Sequence, residues 1–294
     1  LTLIASPDAP HLDHKLIEVI CGVLRSSGVG VERTEVLAPN LAADIFINAD
    51  NVGPIEILTR QHFGHKPVDF AIQPRAGRRK HLLIADMDST IVTSETLDDL
   101  AAEAGIADQV APITERAMRG EIEFADALRH RVNLLAGIDA NLLDRVWQQM
   151  HFTAGAATLV KTMRAHGAYT ALVSGGFTAI TERVRDALGF DEDRANKLVI
   201  KHGKLTGTVA DPILDKNAKL SALQEIATQR SISPQDTAAV GDGANDIPLL
   251  AAAALGVAFH AKPKVREAAS ARIDHGDLTA LLYLQGYHVT DFAG

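Results

Sequence analysis

The stretch Leu82-Leu83-Ile84-Ala85-Asp86-Met87-Asp88-Ser89-Thr90 decides the fold of this chain. Its opening run of apolar residues is typical of a buried strand in a parallel sheet, and open α/β sheets bind ligands at the carboxyl ends of such strands. Residues i and i+2 of an extended segment point to the same side, so Asp86 and Asp88 are expected to face one site. Because two buried acids repel each other and lose their hydration, we expect a cation or a proton beside them.

Two later segments place further polar groups at strand ends. A second apolar run precedes Asp242 and Asp246 in a glycine-rich turn, a third precedes Ser174, and the isolated Lys219 lies between them in the chain. Each residue has an ordinary alternative: the acids and Ser174 could cap helices or turns, and Lys219 could be a solvated surface lysine. Their arrangement on three separate strand ends favours one shared site.

In sequence order, these residues resemble the motifs of the haloacid dehalogenase superfamily: D-x-D-x-T, a Ser or Thr after a strand, a Lys, and an acidic turn. Within that superfamily the chain is similar to the phosphoserine phosphatase family, from about residue 82 to about residue 282. The narrower resemblance rests on residues 86–90 with Glu95-Thr96, Met118, Phe124, and residues 128–132, 173–177, 195–198 and 241–246.

The resemblance implies a reaction as well as a fold. It implies hydrolysis of O-phosphoserine to serine and phosphate through an aspartyl-phosphate, the last step of serine biosynthesis. Asp86 would be the nucleophile, and Asp88 the general acid and then the general base. Lys219 would neutralise the phosphate, while Ser174 and the backbone N–H of Gly175 would hydrogen-bond the phosphoryl oxygens.

A magnesium ion is the cofactor that the resemblance implies. Its ligands would be Asp86, Asp242 and the backbone carbonyl of Asp88. Ligands that are oxygen only, with no His or Cys set nearby, favour Mg²⁺ over zinc. Asn245 would orient the site, and Asp246 would restrain Lys219.

The substrate-binding residues would come from the helical segment that follows the first catalytic strand. Glu95 would accept the ammonium of phosphoserine, and Arg131 would bind its carboxylate bidentately. Met118 and Phe124 would shield the site from water. The alternatives are a helix-surface role for Arg131 and a core role for Met118 and Phe124.

Composition excludes several classes of protein. The chain has 294 residues, a formal net charge of −8 and a single cysteine, Cys21. The negative charge argues against nucleic-acid binding, and no apolar stretch reaches the length of a membrane span. A lone cysteine and an amino terminus without a signal-peptide pattern favour a reducing, cytoplasmic location.

The pattern of elements predicts an α/β protein with a small α+β domain in front. Residues 1–76 read β-α-β-β-α-β, a ferredoxin-like order similar to ACT-type domains, which permits ligand regulation or a homodimer through its sheet. Residues 77–294 alternate strands and helices as a doubly wound, Rossmann-like parallel sheet. A helical cap is expected at about 95–152. The Pro-, Gly- and Arg-rich segment between the domains reads as a solvated linker with few contacts across it.

Two other functions compete with hydrolysis of phosphoserine. One is a related phosphatase or phosphotransferase acting on another small phosphomonoester, against which Glu95 and Arg131 argue. The other is a non-enzymatic amino-acid sensor or scaffold with an inactive phosphatase core. That alternative is disfavoured by the presence of all four motif residues, Asp86, Asp88, Lys219 and Asp242.

Overall fold

The computed structural model describes residues 1–64, 66–118 and 121–294, with the backbone alone for Met118 and Lys216. The first elements are β1 (Thr2–Ala5), α1 (His14–Ser26), β2 (Gly30–Ala38), β3 (Ala42–Asn48), α2 (Gly53–Phe63), β4 (Val68–Ala71) and β5 (Leu82–Ala85). The next are α3 (Thr96–Glu103), α4 (Ala107–Met118), α5 (Phe124–Asn133), α6 (Leu142–Gln149), α7 (Ala156–Ala165), β6 (Tyr169–Phe177) and α8 (Thr178–Leu188).

The remaining elements are β7 (Glu192–Asn196), β8 (Leu198–Lys201), β9 (Lys204–Val209), α9 (Lys216–Gln229), β10 (Thr237–Gly241), α10 (Ile247–Ala252), β11 (Leu255–Phe259), α11 (Pro263–Ala268), β12 (Ala271–Ile273) and α12 (Ala280–Leu284). Among the described residues, no helix has the length and apolar character needed to cross a membrane.

The first four strands form the antiparallel sheet that the sequence predicts. Their order is β2-β3-β1-β4, with β1 paired to both β3 and β4. Helices α1 and α2 bury apolar residues that recur at helical spacing, among them Ile17, Ile20, Leu24 and Ile55. A β-α-β-β-α-β chain with this strand order is ferredoxin-like, which confirms the predicted architecture of this part.

The second sheet is parallel and has six strands in the order β12-β11-β10-β5-β6-β7. Strand β5 lies between β10 and β6, with Ala85 opposite Val240 on one side and Leu172 on the other. The strand ends that carry the motifs are therefore neighbours, as the doubly wound pattern predicts.

One strand of the predicted parallel sheet lies elsewhere. Residues 198–201 pair antiparallel with β9 in a separate two-stranded hairpin, and β7 takes the edge position beside β6 in the parallel sheet instead. The sequence of β7, Glu-Asp-Arg-Ala-Asn, has no apolar run, because an edge strand is partly solvated. A prediction from apolar runs therefore passed over it.

Helices α3 to α6 lie between β5 and α7, where the sequence predicts a helical cap. Two chain segments meet at the base of this cap: Val92 forms a bridge with Phe152, and the Thr93 N–H donates to the His151 carbonyl at 3.0 Å. The β8–β9 hairpin also reaches the cap, since the Leu205 N–H donates to the Ile138 carbonyl at 2.9 Å.

The segment between the two sheets is not the solvated linker that its composition indicates. The Arg78 guanidinium is paired with Asp44 of β3 at 2.5 Å and donates to the Tyr283 carbonyl at 2.9 Å. The Lys80 ammonium donates to the carbonyls of Gly77 and Gln235, each at 2.7 Å. The prediction of few contacts was wrong, because side chains of this basic segment bond partners that are distant in sequence.

Asp69 of β4 forms a second connection between the sheets. Its carboxylate accepts hydrogen bonds from the backbone N–H groups of Asp274, His275 and Gly276, at 2.8, 3.0 and 2.7 Å. The side chain is buried, and burial raises its pKa while the three N–H groups oppose that rise. A buried carboxylate that satisfies three backbone donors holds the loop after β12 against the amino-terminal sheet.

We expect Asp69→Asn to lower the free energy of unfolding by about 1–3 kcal/mol, because an amide turns donor hydrogens towards backbone N–H groups and leaves at least one unsatisfied. Urea denaturation followed by circular dichroism measures the change. The exposed Asp50 lies in the same part of the chain and serves as the control, since Asp50→Asn should leave the free energy unchanged. Equal stability of Asp69→Asn and wild type would contradict the assigned role.

Candidate active site

The centre of the site is a buried lysine held by two carboxylates. Lys219 of α9 lies 2.6 Å from Asp86 Oδ2 and 2.6 Å from Asp246 Oδ1. Burial by itself lowers the pKa of Lys219, but attraction to Asp86 and Asp246 outweighs it and holds the pKa above its ordinary value. The ammonium is therefore charged, and the expected contact between Asp246 and Lys219 is present.

Glycine at position 241 allows this arrangement. A Cβ atom on Gly241 would overlap the carboxyl group of Asp246, so the turn after β10 admits no larger residue there. The same carboxylate accepts the Gly243 N–H at 3.0 Å through Oδ2, which leaves Oδ1 for Lys219. The glycine-rich turn thus fixes Asp246 as the partner of the lysine.

Three carboxylates face this single ammonium. Oxygens of Asp86, Asp242 and Asp246 lie within 4.8 Å of one another, and Asp242 also accepts the Thr90 hydroxyl at 2.8 Å. Burial, together with the neighbouring Asp246, raises the pKa of Asp86 well above its ordinary range and that of Asp242 to about 6.

The charge and the ligand atoms of this cluster fit a hard divalent cation. One ammonium cannot neutralise three carboxylates, and carboxylate oxygens are the ligands that Mg²⁺ prefers. Asp246 is already committed to Lys219 and Gly243. Asp86 is also bonded to Lys219 and to the Met87 N–H, and Asp242 to the Thr90 hydroxyl, but these two carboxylates are the side-chain ligands that the family resemblance implies.

Asp88 follows Asp86 by two residues but lies in different surroundings. Its Oδ1 accepts both the backbone N–H, at 2.9 Å, and the hydroxyl of Thr96, while its Oδ2 accepts the Ser174 hydroxyl at 3.1 Å. Burial raises the pKa of Asp88, although the Thr96 hydroxyl opposes the rise. A carboxyl group with a raised pKa is suited to donate a proton and then to take one back.

The end of β6 places Ser174 and Gly175 on the side of the site where Asp88 lies. Ser174 accepts the Gly176 N–H at 2.8 Å and is buried beside Asp88. The Gly175 carbonyl accepts the Asn196 side-chain amide at 2.9 Å, and Asn196 in turn accepts the Leu214 N–H at 2.8 Å. This anchoring holds the Gly175 segment in position.

The cap places Glu95 beside Ser89 of the loop that follows β5, and Phe124 beside Gly175 at the end of β6. The Ser89 hydroxyl donates to Glu95 Oε1 at 2.6 Å, so the segment that directly follows Asp86 and Asp88 orients this acid. Phe124 lies so close to Gly175 that a Cβ there would come within 3.0 Å of its ring. The side chain of Met118 lies outside the described part of the chain.

Arg131 of α5 is half-buried and forms no ion pair with a carboxylate of residues 1–64, 66–118 or 121–294. Burial lowers its pKa, while the charges of Asp98 and Glu95 oppose that change. Asn245 folds back over Gly243, where its Oδ1 would collide with a Cβ. With no carboxylate partner in the described part of the chain, the Arg131 guanidinium is available for an anionic group of a ligand.

Sequence reasoning named Thr90, Thr96 and Asn196 within the family motifs but gave them no role. Thr96, Thr90 and Asn196 carry the hydrogen bonds that fix Asp88, Asp242 and the Gly175 segment. A local signal for such a role existed for Thr96, since a threonine at the start of a helix presents both a hydroxyl and a free N–H. Nothing local indicated which carboxylate these donors would meet.

Comparison with known proteins places the chain in a family. The family model of haloacid dehalogenase-like hydrolases matches residues 83–251. The chain belongs to this family. Phosphoserine phosphatase SerB2 of Mycobacterium tuberculosis is 44% identical over 237 residues, which make up 80% of this chain and 58% of that protein.

Solved structures agree with the family assignment. A haloacid dehalogenase family hydrolase from Salmonella enterica serovar Typhi is 27% identical with a TM-score of 0.83, covering 96% of this chain and 97% of that one. A substrate-bound phosphoserine phosphatase is 40% identical with a TM-score of 0.65, covering 70% of this chain and 98% of that one. The chain spans 58 to 66% of the length of the first curated relatives that it matches.

Binding of Mg²⁺ to the carboxylate cluster is expected to weaken in acid. The pKa of Asp242 is about 6, and Mg²⁺ must displace the proton of this carboxyl group in order to bind. The apparent affinity for Mg²⁺ therefore falls about tenfold for each pH unit below that value. The rise in melting temperature on adding Mg²⁺ should be larger near pH 7.5 than near pH 5. Asp242→Asn should lose most of the rise, and an equal rise at both pH values would exclude this site.

Without Mg²⁺, the raised pKa of Asp242 has the opposite effect on stability, because protonation of Asp242 favours the folded state as the pH falls. Asp242 binds a proton more tightly in the folded state, so its contribution to stability grows as the pH falls through about 6 towards its ordinary value of 3.8. The two effects are separable, because only the first depends on the Mg²⁺ concentration.

Proposed function

We propose that the chain is a Mg²⁺-dependent phosphoserine phosphatase, which hydrolyses O-phosphoserine to serine and phosphate. The observation that carries the proposal is the position of Asp86 and Asp88 at the end of β5, with Lys219 paired to Asp86 and with Arg131 in the cap, which has no ion pair among the described residues. The likeness to phosphoserine phosphatases of known structure supports the choice of substrate.

Asp86 would attack phosphorus and form an aspartyl-phosphate. The obstacle is charge, since two unit charges about 4 Å apart repel by about 4 kcal/mol at an effective dielectric constant near 20. Lys219, at 2.6 Å from Asp86, favours the ionised form of the nucleophile against the effect of burial and offsets part of that repulsion. When Mg²⁺ is bound by Asp86, Asp242 and the Asp88 carbonyl, it supplies further neutralisation of the phosphate.

Asp88 would move the proton in both half-reactions. In the first, its carboxyl group protonates the departing seryl oxygen; in the second, its carboxylate takes a proton from the water that attacks the aspartyl-phosphate. The hydrogen bonds from Thr96 and Ser174 fix the direction of its two oxygens. Ser174 and the Gly175 N–H are the proposed donors to the phosphoryl oxygens.

The cap would recognise the amino-acid part of the substrate. Glu95, oriented by Ser89, would accept the ammonium, and Arg131 would bind the carboxylate. Phe124, packed at Gly175, would exclude water together with Met118. Asn245 would orient the site beside them.

Several broader predictions remain part of the proposal. We propose the last step of serine biosynthesis, in the cytoplasm, as the setting, which the free, buried Cys21 supports. We also propose a division into an ACT-like domain at 1–76 and a phosphatase core at 77–294, with a cap at about 95–152, which the presence of two separate sheets supports. A homodimer through the first sheet stays a prediction.

Asp86→Asn should abolish turnover and leave the fold intact, because an amide cannot attack phosphorus. Rapid quenching with labelled phosphoserine should trap a covalent phosphoenzyme in the wild type but not in the variant. The exposed Asp8 provides a control, since Asp8→Asn should keep both turnover and the trapped species. Turnover that survives in Asp86→Asn would rule out the nucleophile assignment.

Arg131→Ala should reduce kcat/KM for phosphoserine by about 10- to 150-fold, the worth of a charge-assisted contact of roughly 1.5–3 kcal/mol. Phosphoethanolamine lacks the carboxylate and should be almost unaffected. Arg129, an exposed neighbour on the same helix, is the matched control, and Arg129→Ala should leave both substrates unchanged. Equal losses on both substrates would show that Arg131 supports the cap structurally instead.

A further inference from the structure

One residue of the cap contacts Arg131 and has no role in the chemistry described above. Thr114 of α4 is half-buried, and Arg131 Nη1 donates to its Oγ1 at 3.3 Å. We propose that Thr114 is a positioning residue that aims the Arg131 guanidinium at the substrate carboxylate and so helps to set the preference for phosphoserine. This inference rests on the proposed function of Arg131.

The hydroxyl of Thr114 is oriented as an acceptor. A hydroxyl has one proton to donate and lone pairs to accept with. The Thr114 proton points to the Val110 carbonyl, at 3.5 Å one turn earlier in α4. The lone pairs of Thr114 are therefore left for Arg131, which cannot accept and can only donate.

The remaining donors of Arg131 define how a carboxylate would bind. The Arg131 Nε donates to the Ala127 carbonyl at 3.3 Å, and one Nη1 hydrogen goes to Thr114. A guanidinium has five N–H groups, and within the described residues the second Nη1 hydrogen and both Nη2 hydrogens have no other partner. With a hydrogen left on each Nη atom, Arg131 can donate two hydrogen bonds to the oxygens of one carboxylate.

Thr114 also acts against a competing arrangement. The cap carries Asp98 and Glu95, whose charges act on Arg131, yet the guanidinium pairs with neither acid. Contacts from two helices, α4 through Thr114 and α5 through Ala127, hold it in one orientation. Without the hydroxyl, rotation of the side chain towards these acids would neutralise the charge that the substrate requires.

Two substitutions separate the hydroxyl from the shape of the side chain. Thr114→Val keeps the β-branched shape and removes the hydroxyl, whereas Thr114→Ser keeps the hydroxyl and removes the methyl group. Thr114→Val should lower kcat/KM for phosphoserine about tenfold, mainly through KM, since a hydrogen bond to a charged group is lost. Turnover of phosphoethanolamine should change less than about twofold, and Thr114→Ser should resemble the wild type on both substrates.

A double-mutant cycle tests whether Thr114 acts through Arg131. In the Arg131→Ala background, adding Thr114→Val should cause no further loss on phosphoserine, because the group that it positions is gone. Full additivity of the two losses would overturn the proposal. So would equal losses of Thr114→Val on phosphoserine and phosphoethanolamine, or no loss on phosphoserine.

A measurement without substrate distinguishes failure of this inference from failure of the proposed function. The side-chain N–H signals of Arg131, assigned by their absence in Arg131→Ala, should broaden or shift in Thr114→Val and keep their positions in Thr114→Ser. Unchanged signals in Thr114→Val would overturn the positioning role. A wild type that shows no preference for phosphoserine over phosphoethanolamine would instead contradict the proposed substrate, while these signals would still decide the role of Thr114.

Discussion

The rest of the site depends on the ammonium of Lys219 between Asp86 and Asp246. All three side chains are buried, so none of the charges is tolerable alone, and a buried ammonium left with neither carboxylate would typically cost about 3–5 kcal/mol. The contact requires β5 and β10 to be neighbours and α9 to lie beside the turn that carries Asp246. The buried charge of Lys219 thus constrains the order of β5 and β10 in the sheet, the position of α9 and the size of the residue at Gly241.

Around this centre the core and the cap have different tasks. In the proposed function, the core would supply the groups for the phosphoryl transfer at three adjacent strand ends, which the parallel sheet holds in fixed positions. The cap would supply Glu95, Phe124 and Arg131 from helices that are joined to the core at a narrow base, where Val92 meets Phe152. Chemistry and substrate choice would then be carried by separate parts of the chain.

The amino-terminal sheet is attached to the core close to that base. Asp69 holds the loop at residues 274–276, and a few residues later the Leu278 N–H donates to the Ala154 carbonyl at 3.0 Å, just before α7 begins. The basic segment around Arg78 adds charged contacts to the same interface. These long-range bonds connect groups that no local pattern associates, which is why the composition of the segment gave a misleading prediction.

The sequence alone determined the apolar strands, the amphipathic helices and the order of polar groups at the strand ends, because these depend on periodicity and on neighbours in the chain. It also indicated Lys219, Glu95 and Arg131 through the family resemblance. Only the tertiary structure decided which donors satisfy each carboxylate, that the polar segment β7 forms the sheet edge, and that Thr114 meets Arg131. Those outcomes depend on contacts between residues far apart in the chain, whose burial and charge are fixed only when the helices and sheets pack together.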